Sequence, residues 1–187
     1  MARLLVGALS VVADRCQPSP SQALSGALLP LIDATMVDPI APTARAPRLA
    51  LALGLAGLLP ALAALVLTRD PEWRFSALSL GFAYVALILS FLGGLWWGLA
   101  ARAERAPGWL WVAAVSPSLV ALTGFWPWAF GDPWPGPSFI WLGAALIAAL
   151  GVDVALVRQA LAPRWWLSLR LPLSLGLGLI SIALGLA

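Results

Sequence analysis

Asp153 interrupts the apolar run LIAALGVDVALVR and is the one acid inside a stretch long enough to cross a bilayer. An ionised Asp at the centre of such a helix costs roughly 2.5–3.5 kcal/mol to insert, less toward the ends, so it must face protein or water and find a partner. It stands five residues before Arg158, about 7.5 Å along a helix axis, just inside one boundary of its span. Arg102, Arg105 and Arg170, at the ends of neighbouring spans, are the cations within reach. Arg170 is the first choice because it enters the next span directly from a short connector. The expectation is an ion pair that holds helix ends in register; a proton or substrate site is the alternative.

The remaining side chains offer little chemistry. There is no His, and the single Cys, Cys16, lies in the N-terminal stretch. An imidazole or thiolate metal site, His-ligated haem, a disulfide and a Ser-His-Asp triad are excluded by inventory. Ser90, Ser116, Ser118 and Thr123 have no His or Lys to activate them, and hydroxyls inside membrane helices bond a carbonyl one turn back or a neighbouring helix. Neither catalysis nor a cofactor is expected. The net charge of +3 and a pI near 10.4 come from arginines scattered singly at the ends of apolar runs, without a patch, so nucleic acid is not a partner.

The elements that must position these residues are membrane helices. Of 187 residues, 61% are hydrophobic and only 10% charged, with a mean hydropathy of +0.94; a soluble domain carries about 25% charged residues. A bilayer core of roughly 30 Å needs about 20 apolar residues in a helix. Five stretches qualify as spans: Leu49 to Thr68, Phe75 to Ala100, Trp109 to Phe130, Ser138 to Val157 and a shorter Leu171 to Ala187. The fold class is therefore all-α, a polytopic bundle of five transmembrane helices over residues 48–187, with the lipid bilayer as its first partner. Residues 1–47, broken by Pro, Asp and polar residues, read as a mobile or loosely attached leader, and Met36 is an alternative start.

The second span is the expected hub. Ser90, Gly94 and Gly98 recur every four residues, with Gly93 beside them, which is the small-residue pattern that lets helix backbones approach in membranes. Gly54 and Gly57 precede Pro60 in the first span, where a kink is expected, and Pro117 between Ser116 and Ser118 kinks the third. The arginines set the threading. Arg45, Arg48, Arg102, Arg105, Arg158, Arg164 and Arg170 fall on one side, against Arg69 and Arg74 on the other, so the N-terminus is expected inside and the C-terminus outside. Of the eleven tryptophans, Trp96, Trp97, Trp109, Trp111, Trp165 and Trp166 would belt the inner interface, with Trp73, Trp126, Trp128 and Trp134 at the outer one. All basic residues are Arg, a bias that points to a guanine- and cytosine-rich, bacterial coding sequence.

Gly57-Leu58-Leu59-Pro60, Ser90-Phe91-Leu92-Gly93-Gly94 followed by Trp97-Gly98, Ser116-Pro117-Ser118, Asp153 and Arg170-Leu171-Pro172 occur in this order. In these features, over residues 48–187, the chain resembles the integral membrane proteins grouped as domain of unknown function 3429, which include transmembrane protein 69. The resemblance, to proteins of bacteria and of mitochondria, implies a small helical membrane protein without an established activity and brings no catalytic residue with it; with the arginine bias, the expected location is the bacterial inner membrane. Two functions fit the residues: a non-enzymatic accessory or assembly component that binds other membrane proteins, or a carrier or sensor holding a small apolar or amphipathic ligand between kinked helices.

Overall fold

A computed structural model describes residues 46–187; the expected leader and the choice of start lie outside the described residues. Seven helices follow in order: α1 (Arg48–Ala56), α2 (Leu59–Leu67), α3 (Arg74–Arg102), α4 (Gly108–Thr123), α5 (Trp126–Phe130), α6 (Gly136–Arg158) and α7 (Trp166–Leu186). Among the described residues there is no strand. Taken as continuous stretches, these helices make five spans long and apolar enough to cross a membrane: Arg48–Leu67, Arg74–Arg102, Gly108–Phe130, Gly136–Arg158 and Trp166–Leu186. The protein is a multi-pass integral membrane protein.

The first span breaks into α1 and α2 at Gly57 and Leu58, with Pro60 in the first turn of α2. Pro60 has no amide hydrogen for the carbonyl one turn back, and the Tyr84 hydroxyl of α3 donates to the Gly57 carbonyl at the break. In α4, Pro117 strands the Ala113 carbonyl in the same way, and the Ser116 hydroxyl donates to that oxygen at 2.9 Å. The helix therefore continues through its proline with its backbone satisfied.

The most extensive packing joins α6 to α7, followed by α3 with α4. Membrane helices have little hydrophobic drive to associate, because lipid is as apolar as Leu, so close fit decides. The α6–α7 seam shows this. A Cβ on Gly143 would lie 2.6 Å from the Gly178 carbonyl oxygen, and one on Gly185 would lie 2.7 Å from that of Gly136. The two glycine pairs are seven residues apart on each helix, in antiparallel register, and Ser181 donates to the Phe139 carbonyl between them at 2.7 Å.

Two apolar clusters fill the bundle. One centres on Phe82, which meets Phe125, Trp134 and Phe139 edge-on at centroid distances of 4.7, 5.6 and 5.6 Å. The other gathers Leu92, Trp96, Leu110, Leu156 and Trp166 toward the opposite end of the helices.

The structure corrects two expectations. The fifth span starts at Trp166 rather than Leu171, so the connector shrinks to residues 159–165 and Arg170 lies inside α7. Pro172 does not open the helix; it sits in the second turn, where the carbonyl it strands belongs to the exposed Ser168. On α3 the packed face runs through Leu89, Leu92, Gly93, Trp96 and Ala100. Gly93 is the glycine that packs, since a Cβ there would collide with the Ala114 carbonyl oxygen and press on Pro117. Gly94 and Gly98 are exposed with nothing near their missing Cβ positions, and Ser90 reaches α4 only through its hydroxyl, 2.8 Å from that of Ser118. Gly54 packs on Leu173 of α7.

Candidate functional site: a buried carboxylate beside an open cleft

Asp153 is completely buried. Its Oδ1 accepts the indole N–H of Trp96 at 3.0 Å and that of Trp166 at 2.8 Å. Its Oδ2 accepts Arg170 Nε at 3.0 Å, and Arg170 Nη2 donates to Ser174 Oγ at 3.0 Å. Three helices supply the cluster: α3 gives Trp96, α6 gives Asp153, and α7 gives Trp166, Arg170 and Ser174. The three α7 residues follow each other at four-residue intervals and so share one face. The carboxylate thus receives three donors, two of them neutral, inside a low-dielectric interior where each bond is stronger than in water. Such a network holds three helix ends in place.

Arg102 and Arg105, the other cations within reach by sequence, form no ion pair with Asp153. Trp96 and Trp166, expected at the inner interface, are instead buried at 2% and 9% exposure with their indole N–H groups turned to Asp153. Trp97 and Trp109 remain exposed, as an interface belt requires, and Trp97 meets Trp111 edge-on at 4.9 Å. Among the described residues, no three His, Cys, Asp or Glu side chains gather.

Arg170 also forms part of the wall of a cleft of about 300 Å³ between α1, α3, α6 and α7. Its apolar lining includes Leu53, Leu58, Phe91 and Leu173, and its polar groups are Arg170, Ser174 and Tyr84. Arg170 is 8% exposed, and its Nη1 makes no hydrogen bond among the described residues. A second cleft of about 380 Å³ lies between α3, α4 and α6, walled by Pro117, Trp141 and the alanines of α6. Gly57 and Leu58, at the break before Pro60, and Pro117 therefore border different clefts, and Gly93 and Pro117 tighten the α3–α4 contact.

Residues 46–187 match the model of a family described as "Protein of unknown function (DUF3429)". The chain belongs to this family. No curated protein matches it, and no solved structure does. The matched region contains every member of the cluster and every described residue of both clefts, so in this DUF3429 chain the buried carboxylate and the cleft beside it are parts of the family domain.

Sequence reasoning placed Asp153 and ranked Arg170 ahead of the other arginines, but it missed Trp96 and Trp166. A signal was present for one of them: Trp166, Arg170 and Ser174 are one helical turn apart in sequence, which marks a polar stripe once α7 is extended backward. No comparable signal singles out Trp96 in its apolar surroundings.

Proposed function

We propose that the protein is a non-enzymatic component of the bacterial cytoplasmic membrane, N-terminus inside and C-terminus outside, that holds a small amphipathic molecule in the cleft between α1, α3, α6 and α7. The observation that carries this reading is Arg170, which lines a mainly apolar cleft and whose Nη1 is a charged donor without a protein partner among the described residues. A donor so placed in hydrocarbon calls for an acceptor. The cleft is at the small end of ligand sites, enough for a head group whose tail leaves into lipid past the exposed Leu53. The orientation rests on the arginine split between the two sides.

The test is purification in mild detergent with native mass spectrometry of the intact protein, wild type against Leu173→Trp, which fills the cleft without replacing a member of the Asp153 cluster. A bound small molecule in the wild type and its loss in the variant are expected. Absence from both, or equal retention, would overturn the reading. The accessory role stays as a second reading, favoured by the exposed Gly94 and Gly98 on α3, a flat surface open to another helix. In the same experiment it expects a co-purifying membrane protein that Gly94→Leu removes.

A further inference from the structure

If the Arg170 cleft is a ligand site, as proposed above, its hydrogen-bonding groups specify the kind of ligand. Arg170 has five N–H groups. Nε is committed to Asp153 and one on Nη2 to Ser174. The second Nη2 N–H and the Nη1 pair remain, on a side chain that lines the cleft. Ser174 Oγ accepts from Arg170 and donates to nothing among the described residues, so its hydroxyl proton is a second donor at the same end. Tyr84 spends its proton on the Gly57 carbonyl and offers only lone pairs. The polar end of the cleft is therefore built mainly of donors, and a ligand must present an acceptor to it.

Charge decides which acceptor. Asp153 lies directly behind Arg170, 3.0 Å from Nε, and is completely buried. It already balances the guanidinium, and no other Asp, Glu or Arg among the described residues lines the cleft. A carboxylate or phosphate placed on Nη1 would leave the site with a net negative charge in a medium that solvates it poorly. A neutral carbonyl oxygen takes the same charge-assisted hydrogen bond and leaves the site neutral.

We infer that the cleft recognises the neutral carbonyl oxygen of a lipid-soluble molecule and discriminates against lipid anions. A quinone ring and the acyl ester of a glycerolipid both offer that oxygen on a body soluble in the bilayer. The carbonyl sits on Arg170 Nη1 and Ser174 Oγ, and the apolar remainder lies along Leu53, Leu58, Phe91 and Leu173.

The experiment measures equilibrium binding to the full chain in a neutral maltoside detergent by calorimetry. The probes are a decyl-substituted benzoquinone, dioctanoylglycerol, decanoate at pH 8 and decylbenzene. At least one carbonyl probe should bind about tenfold or more tighter than decanoate and decylbenzene, the gap expected from one hydrogen bond to a charged donor. Which of the two it is identifies the source. Leu173→Trp should abolish that binding, and Ser174→Ala should weaken it while decylbenzene is unaffected. Decanoate binding as tightly as the carbonyl probes, or decylbenzene doing so, overturns the inference and leaves the cleft a ligand site of another kind. Binding of no probe, or binding unchanged by Leu173→Trp, overturns the ligand-binding reading as well. A direct substitution of Arg170 is avoided because it breaks the cluster that holds the helices.

Discussion

Removing Asp153 should cost far more alone than together with its partner. Asp153→Leu leaves the Arg170 guanidinium without its counter-ion and two indole N–H groups without an acceptor. Breaking a buried pair from one side costs about 3–5 kcal/mol, and hydrogen bonds between membrane helices average about 0.6 kcal/mol each, so the indoles add roughly 1 kcal/mol. Arg170→Met leaves Asp153 with only the two indole donors, again about 3–5 kcal/mol. Arg170 is 8% exposed, so solvation through the cleft trims both figures. In the double variant the charges disappear together, and a buried pair exchanged for apolar side chains of similar volume is often neutral or stabilising; about 1 kcal/mol remains from the indoles. The two losses should thus fall short of additivity by at least about 3 kcal/mol, the upper end of measured coupling energies. Unfolding in mixed maltoside and dodecyl sulfate micelles, followed by far-ultraviolet circular dichroism, gives all four corners of the cycle. Losses additive to within about 0.5 kcal/mol would show that the pair has no energetic coupling and that the cluster is not what holds these helices.

Three further outcomes concern the packing and the threading. Gly93→Leu should lower stability by at least the roughly 1–3 kcal/mol typical of overpacking, because the Ala114 carbonyl and Pro117 occupy the space, whereas Gly94→Leu should leave the melting temperature of the isolated protein unchanged; the opposite order would place the α3 contact on the wrong face. Gly143→Leu should part α6 from α7, where the Gly178 carbonyl blocks any side chain, and a spin-label distance between Ile140 and Leu179 should lengthen; an unchanged distance contradicts the seam. Reporter fusions after Arg105 and after Ala187 should report the cytoplasmic and the external side respectively, and the same side for both rejects the threading.

The span count was legible because it depends on length and apolarity, which a bilayer reads directly. The polar pair was legible because an acid within a span must be answered, and few cations stood close enough. Which face of α3 packs was not legible. That helix is apolar all round, so lipid and protein sides look alike in sequence, and the small-residue rule favours Gly94, between Ser90 and Gly98, over Gly93, which has Leu89 and Trp97 at the same spacing and points about 100° away. The start of α7 was misjudged for a related reason: Pro172 and Arg170 read as a boundary, while a proline in an early turn strands only one carbonyl, here at an exposed residue. Gly143 and Gly178 were hidden because each acquires meaning only once the two helices are in register.

The cluster and the cleft depend on each other. An arginine at the wall of a membrane cleft would, if unpaired, be strongly unfavourable and free to turn toward the interface, as long basic side chains do near helix ends. Asp153 prevents both, because its Oδ2 holds Nε while Ser174 holds Nη2, and the guanidinium plane is thereby fixed. The two indoles fix the carboxylate in turn, from α3 and from the same face of α7. A donor ordered before any ligand arrives loses little entropy on binding, so even a single hydrogen bond can separate one lipid-soluble molecule from another. The apolar wall opposite is supplied by α1, which is mostly exposed and meets α7 through small contacts such as Gly54 on Leu173. Rigid polar groups on α3 and α7, held from behind by Asp153 of α6 and facing a loosely packed half-helix, are what a site needs if its polar chemistry is to stay fixed while its apolar side admits a ligand from the bilayer.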